Sequence, residues 1–264
     1  MIFYFSAEGD SKWVAQKLAM ATKDTLISIS DVWGKREHFF LKRGERLGFV
    51  FPIHGWRPPT IVRKFIAHLV LEDEEKPFTY TVVTAGDDIG LTIDRYMNNA
   101  LATNQSLRNI KVNHVDSAYS ILMPETYVGL PFMDVDSKEN EIRKKTAAHE
   151  VLKVICEEIF DKKEGVFRLH KGRWPWINSQ LLGAFFEKVL ITDKPFHIVS
   201  DRCVRCGICA QVCPTGDLTG GKGQEPQWKH DGSCLNCFNC YHHCPHHAIE
   251  YGKRTRHKGQ YYFK

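Results

Sequence analysis

The chain lacks any long apolar run: none of its 264 residues fall in a stretch approaching the roughly 18 apolar residues of a membrane helix. Its opening, MIFYFSAEGDS, lacks the charged n-region and long apolar h-region of a signal peptide, so a cytoplasmic location is expected. Low-complexity tracts are missing, which leaves an ordinary globular composition. No Walker loop, Ser-His-Asp array or zinc-protease motif occurs, so hydrolysis and phosphoryl transfer have no support. No nucleic-acid-binding module is recognisable either. The formal charge of +5 is small. Cysteine is absent from the first half, yet eight of the nine cysteines lie between Cys203 and Cys244. In a reducing compartment such a concentration of thiols points to metal rather than to disulfides.

The eight cysteines form an internal repeat. CVRCGICAQVCP (203–214) and CLNCFNCYHHCP (234–245) both read C-x2-C-x2-C-x3-C-P. This is the bacterial ferredoxin spacing for two [4Fe-4S] clusters. Three cysteines two residues apart wrap a loop around three corners of a cubane, and the fourth begins a turn that leads away to the other cluster. One cluster is then expected on Cys203, Cys206, Cys209 and Cys244, the other on Cys234, Cys237, Cys240 and Cys213. Gly207 is expected to permit close backbone approach to cluster sulfur. Four-cysteine zinc sites also use C-x2-C pairs, but as two separated pairs rather than three cysteines in tandem. Two oxidised clusters with their thiolates carry about −2 each, which offsets the basic count and weakens it as evidence for nucleic acid. His242, His243, His246 and His247 are not needed as ligands and are expected on a solvated helix face. Cys156, among Val154, Ile155 and Ile159, reads as a buried structural thiol. The run GKRTRHKG (252–259) reads as a solvated basic segment or as a docking patch for an acidic redox partner.

The N-terminal part alternates short apolar runs with helical patterns. MIFYF, LISIS, RLGFVFPI, FTYTVVTAG and DSAYSILM read as strands, with amphipathic segments between them and a long helix to about Phe160. This alternation predicts a doubly wound α/β domain with a five-stranded parallel sheet in the order 2-1-3-4-5. The expected organisation is 1–162 for that domain, 163–194 for a helical linker with one helix over Asn178–Leu190, and 195–264 for a small α+β domain carrying the cysteines and the basic segment.

The loop FSAEGDSKWVA after the first strand resembles the flavodoxin phosphate loop. FPIHGWRPPTIVRKF and TAGDDIGLTIDRY resemble the two loops that hold the flavin ring. With MPETY and the cysteine repeat, the chain resembles the two-domain flavodoxin–ferredoxin fusion proteins of anaerobes over nearly its whole length. The resemblance implies FMN. Ser6, Ala7, Gly9, Asp10, Ser11 and Lys12 would bind its phosphate. Pro52, Ile53, His54, Gly55 and Trp56 would line the isoalloxazine, and Ala85, Gly86, Asp87 and Asp88 would hold its far edge. Glu8 stands where the family usually has threonine, and Asp10 where it has asparagine. Backbone N–H binding with both side chains turned outward is the expectation there.

FMN beside two clusters implies a ferredoxin-linked oxidoreductase reducing a small organic substrate, with His54, Glu125 and Tyr127 as proton-donor candidates. RWPW (173–176) would wall a pocket over the flavin or pack between the domains. The alternatives are an electron carrier without a substrate of its own and a redox-sensing module. The expected partner is a small redox protein such as a ferredoxin, with neither nucleic acid nor membrane.

Overall fold

The computed structural model describes residues 1–35, 37–73 and 75–264. The N-terminal strands are β1 (Ile2–Tyr4), β2 (Leu26–Ser28), β3 (His38–Phe40), β4 (Leu47–Pro52), β5 (Val70–Glu72), β6 (Thr79–Ala85), β7 (Ser117–Leu122) and β8 (Phe167–Arg168). Six of them form one sheet in the order β2-β1-β4-β6-β7-β8, every neighbouring pair parallel. The expectation of five strands in the order 2-1-3-4-5 is corrected on two points. β8 adds an edge strand from a segment read as linker, and β3 and β5 form a separate parallel pair.

The sheet is covered on both faces. Its strands read as continuous apolar runs because each face meets helices. Phe3, Phe5, Phe49 and Phe51 point to the side of α2 (Thr60–His68) and α3 (Asn98–Thr103), where Ile61, Phe65, Ile66 and Leu101 are buried. Ile2, Val50 and Val82 point the other way. They meet Val14 and Leu18 of α1 (Asp10–Thr22) and Leu152, Ile155 and Ile159 of α4 (Lys138–Phe160). Cys156 is half-buried on that side, where burial pushes its thiol up to about 11.

The cysteine-rich region has a core of its own, with Phe196, Leu218, Phe238, Tyr241, Ile249 and Tyr251 around Cys209. It is framed by two antiparallel pairs, β9 (Phe196–Ile198) with β12 (Ile249–Tyr251) and β10 (Leu218–Thr219) with β11 (Gln227–Trp228). It is also docked onto the sheet domain. Leu235 and Cys237 pack into the α2/α3-side core, and Val128 enters the cysteine-rich core. Among the described residues no helix is long and apolar enough to cross a membrane.

Candidate metal centre

The two cysteine runs adopt the same backbone. At their third positions Arg205 and Asn236 have φ of 54° and 52°. At their fifth positions Gly207 and Phe238 have φ of 80° and 61°. Left-handed residues at alternate positions curl a loop so that its N–H groups face inward. A short helix then starts in each run, at Ile208–Gln211 and Asn239–His242. Glycine suits the turn at 207, where an added Cβ would lie 2.8 Å from the Gly221 carbonyl carbon. Phe238 occupies the same conformation at a cost of roughly 1–2 kcal/mol, offset by burial of its ring among Phe196, Tyr241 and Tyr251.

Each curl encloses a cavity. The first is lined by Cys203, Cys206 and Cys209 together with Cys244 from the later run. The second is lined by Cys234, Cys237 and Cys240 together with Cys213 from the earlier one. The fold thus brings together the two sets of four expected from the spacing. Among the described residues, no group of three or more His, Cys, Asp or Glu is placed to hold a single metal ion. Four thiols converging on each cavity are the donor set of an iron–sulfur cluster.

The surroundings fit an iron–sulfur cubane. The walls are largely apolar, with Ile198, Ile208 and Ile249 on one cavity and Phe196, Leu218 and Leu235 on the other. Backbone N–H groups donate to sulfur, from Asn236 to Cys234 Sγ at 3.4 Å and from Ala248 to Cys244 Sγ at 3.2 Å. Burial pushes the thiols of Cys209 and Cys234 up to about 11 and 12, and those of Cys237 and Cys240 well above the ordinary value. Such thiols ionise only when a metal centre supplies the opposing charge. The cavities differ in setting. Val204, Arg205 and Cys206 of the first are exposed, whereas Leu235, Asn236 and Phe238 beside the second are buried at the junction with the sheet domain.

Of the four histidines, His246 and His247 are exposed as expected, but His242 is buried. Its Nε2–H donates to the Thr126 carbonyl at 2.8 Å, and its Nδ1 accepts from Tyr261 N–H at 3.2 Å. It joins the two parts of the chain. Burial lowers its pKa to about 4 and keeps it neutral. The basic run is not a free segment either. Lys258 Nζ donates to the carbonyls of Val128, Leu130 and Met133, and Arg254 to that of Gly129.

The loops that resemble a flavin site are filled by the chain itself. Phe263 N–H donates to the Glu8 carbonyl at 2.7 Å, and an added Cβ at Gly9 would lie 3.0 Å from Phe263 Cβ. Tyr261 donates its hydroxyl to Asp10 Oδ1 at 2.7 Å. Phe263 stacks on Trp13. The hydroxyl of Ser11 is bonded to Thr84, and that of Ser6 accepts from Gly9 N–H. Ala7 is half-buried and Lys12 points to solvent. Glu8 and Asp10, expected to turn outward, are buried instead, and burial raises them to about 8 and about 7. A phosphate dianion placed there would oppose ionisation of both carboxyls and would have to displace Tyr261 and Phe263.

The ring loops are covered by the helical run that follows β8. An added Cβ at Gly55 would lie 2.6 Å from the Phe186 ring, and one at Gly183 would lie 2.6 Å from the Gly55 carbonyl. Pro52, Ile53 and Trp56 are half-buried. The Trp56 carbonyl accepts from Ser179 Oγ. Ala85 is buried, Asp87 is exposed, and Asp88 accepts from Asn178 Nδ2 at 3.2 Å. The Gly86 carbonyl accepts from Lys144. These residues do not fit FMN. Equilibration of the anaerobic protein with FMN is accordingly expected to leave flavin fluorescence unquenched, and stoichiometric binding would contradict this reading.

The proton-donor candidates are likewise engaged. Glu125 Oε1 accepts from the N–H groups of Thr126 and Tyr127. Tyr127 donates to Asn236 at 3.1 Å, and its ring packs against both Phe186 and Phe238. Burial lowers His54 to about 4. RWPW neither walls a flavin pocket nor packs between the domains, since Trp174 and Trp176 are 57% and 55% exposed.

Comparison with known proteins agrees with the cysteine geometry. The family described as "4Fe-4S dicluster domain" matches residues 196–245. A protein named ferredoxin from Megasphaera elsdenii is 54% identical over 26 residues, which cover 10% of this chain and 48% of that ferredoxin. The match therefore spans about half of the relative's length. Residues 196–245 form a ferredoxin-type domain that binds 4Fe-4S iron–sulfur.

Proposed function

We propose that the chain is an electron carrier with two [4Fe-4S] clusters, one on Cys203, Cys206, Cys209 and Cys244, the other on Cys234, Cys237, Cys240 and Cys213. The observation that carries this reading is the partition of the eight thiols between two cavities, each completed by one cysteine of the other run. A bound [4Fe-4S] cluster takes up and releases one electron at a time.

The chain's own residues set the terms of that exchange. Apolar side chains wall both cavities, and backbone N–H groups directed at Cys234 and Cys244 sulfur favour the more negative, reduced state. The Val204–Cys206 loop offers the exposed approach for a small redox protein such as a ferredoxin. The other cavity is shielded by Leu235, Phe238 and Tyr127. The phosphate and ring loops are filled by Tyr261, Phe263 and Phe186, which favours a carrier over a flavin-dependent oxidoreductase. The sheet domain then acts as a support that buries one side of the cluster domain.

The test is anaerobic reduction with a low-potential donor, followed by mixing with an oxidised ferredoxin. Rapid re-oxidation without turnover of any small organic molecule is expected. A protein whose clusters reduce but pass no electron to any redox protein is not a carrier.

A further inference from the structure

The helical run from Pro175 to Leu190 is inverted in polarity. It consists of α and π turns: Pro175–Ile177, Asn178–Leu182, Gly183–Phe185 and Phe186–Leu190. Helices on a soluble domain bury their apolar stripe and expose their polar one. Here the polar side chains mainly face the sheet domain. Ser179 is fully buried, and its carbonyl accepts from Arg57 at 2.8 Å and from the Tyr96 hydroxyl at 3.1 Å. Glu187 accepts from Arg57 at 2.6 Å and is paired with Arg63.

The apolar side chains point to solvent. Ile177, Leu181, Phe185 and Val189 recur every four residues, each between 41% and 58% exposed. Trp174 and Trp176 extend the stripe at its N-terminal end. The π turns, with i→i+5 bonds, hold more residues per turn than α turns and keep a four-residue repeat aligned along one face. An exposed apolar patch of this extent marks an interaction site.

Charge narrows what covers it. Arg173, Lys188 and Lys194, at the two ends of the run, are exposed. Three acids around the run are already committed: Glu187 to two arginines, Asp193, buried, to His230 at 3.0 Å, and Asp94 to Lys171 at 2.8 Å. A second copy laid on the stripe would bring like charges together at both ends. The stripe has tryptophans at one end and cations at both. This is the pattern of a helix that lies in a membrane interface.

We propose that the outer face of residues 174–189 seats the protein peripherally on an anionic lipid surface, with the tryptophans and the Leu181/Phe185 ridge entering the headgroup boundary and Arg173, Lys188 and Lys194 meeting lipid phosphates. Nothing spans the bilayer, and the inference does not depend on the electron-carrier reading.

The test is co-sedimentation of the cluster-loaded protein, kept anaerobic, with phosphatidylglycerol vesicles and with phosphatidylcholine vesicles. Expected are binding to the anionic vesicles alone, a blue shift of tryptophan emission, and loss of binding at high salt. Leu181→Asp with Phe185→Asp should weaken binding at least about tenfold while cluster absorbance is unchanged. Arg173→Glu with Lys188→Glu, which leaves the apolar ridge intact, should weaken it as well. Failure of the wild-type protein to bind anionic vesicles would overturn the proposal. So would binding that both double variants retain, or a dimer by light scattering that L181D/F185D dissolves.

Discussion

Replacing Cys213 by serine is expected to remove the cluster of the later run and to spare that of its own. The iron content of the anaerobic protein should fall by about half, as should the broad visible absorbance of the clusters. Cys244→Ser should halve the iron as well, but at the other cavity. The two variants are distinguished by exposure. Cys206 and its neighbours are open to solvent, whereas Cys237 and Cys240 lie deep enough for burial to raise their thiols well above the ordinary range. In the Cys213 variant the surviving cluster should therefore be the accessible one, bleached quickly by a bulky chelator or oxidant. In the Cys244 variant it should be the protected one. If each variant instead lost the cluster of its own run, the exchange of fourth ligands would be wrong.

Stability is expected to fall as pH rises through neutrality, and Glu8 is the main cause. Its carboxyl is buried beside Asp10 and Glu125, and it is raised from an ordinary 4.5 to about 8. Between these values the folded chain holds a proton that the unfolded chain has released. Unfolding then releases a proton, so each step up in pH favours the unfolded state. The loss is complete once the pH passes the folded pKa. It amounts to a few kcal/mol across the window, since each pH unit between the two values corresponds to about 1.4 kcal/mol. Asp10, raised to about 7, adds to the same trend below its own pKa. Glu8→Gln has nearly the shape of the protonated acid and no charge to bury. Denaturant unfolding under anaerobic conditions should show the variant equal to wild type near pH 5 and more stable by a few kcal/mol near pH 8. A wild-type protein as stable at pH 8 as at pH 5 would contradict the buried placement of Glu8.

The parts of this molecule that are legible in its sequence are those fixed by local spacing. Three cysteines two residues apart allow one way to curl a loop, so the thiol groupings follow from the repeat alone. The sheet is legible because β4 and β6 are buried on both faces and read as unbroken apolar runs. β8 is not, because two exposed residues carry no alternation. The closure of the first loop is hidden for another reason. It depends on Tyr261 and Phe263 meeting residues 8–13 from about 250 positions away, and no local pattern records such a meeting. Glu8 and Asp10 are the available signal: acids at a phosphate loop are unfavourable unless something other than phosphate occupies it. The burial of His242 is hidden in the same way, since its partners Thr126 and Tyr261 come from outside its own turn. The helix over 178–190 is legible, but its exposed apolar face is not, because the sequence shows a stripe without showing which way it points.

On the proposed reading the chain stores electrons on iron–sulfur alone, in two cavities each completed by a cysteine of the other run. Anaerobic coulometric titration of the purified protein decides between this and a flavin-bearing chain. Uptake of about two electrons per chain is expected, one for each cluster, with cluster absorbance bleaching and no flavin band in the spectrum. Uptake of about four electrons, with a flavin spectrum reduced alongside the clusters, would contradict it.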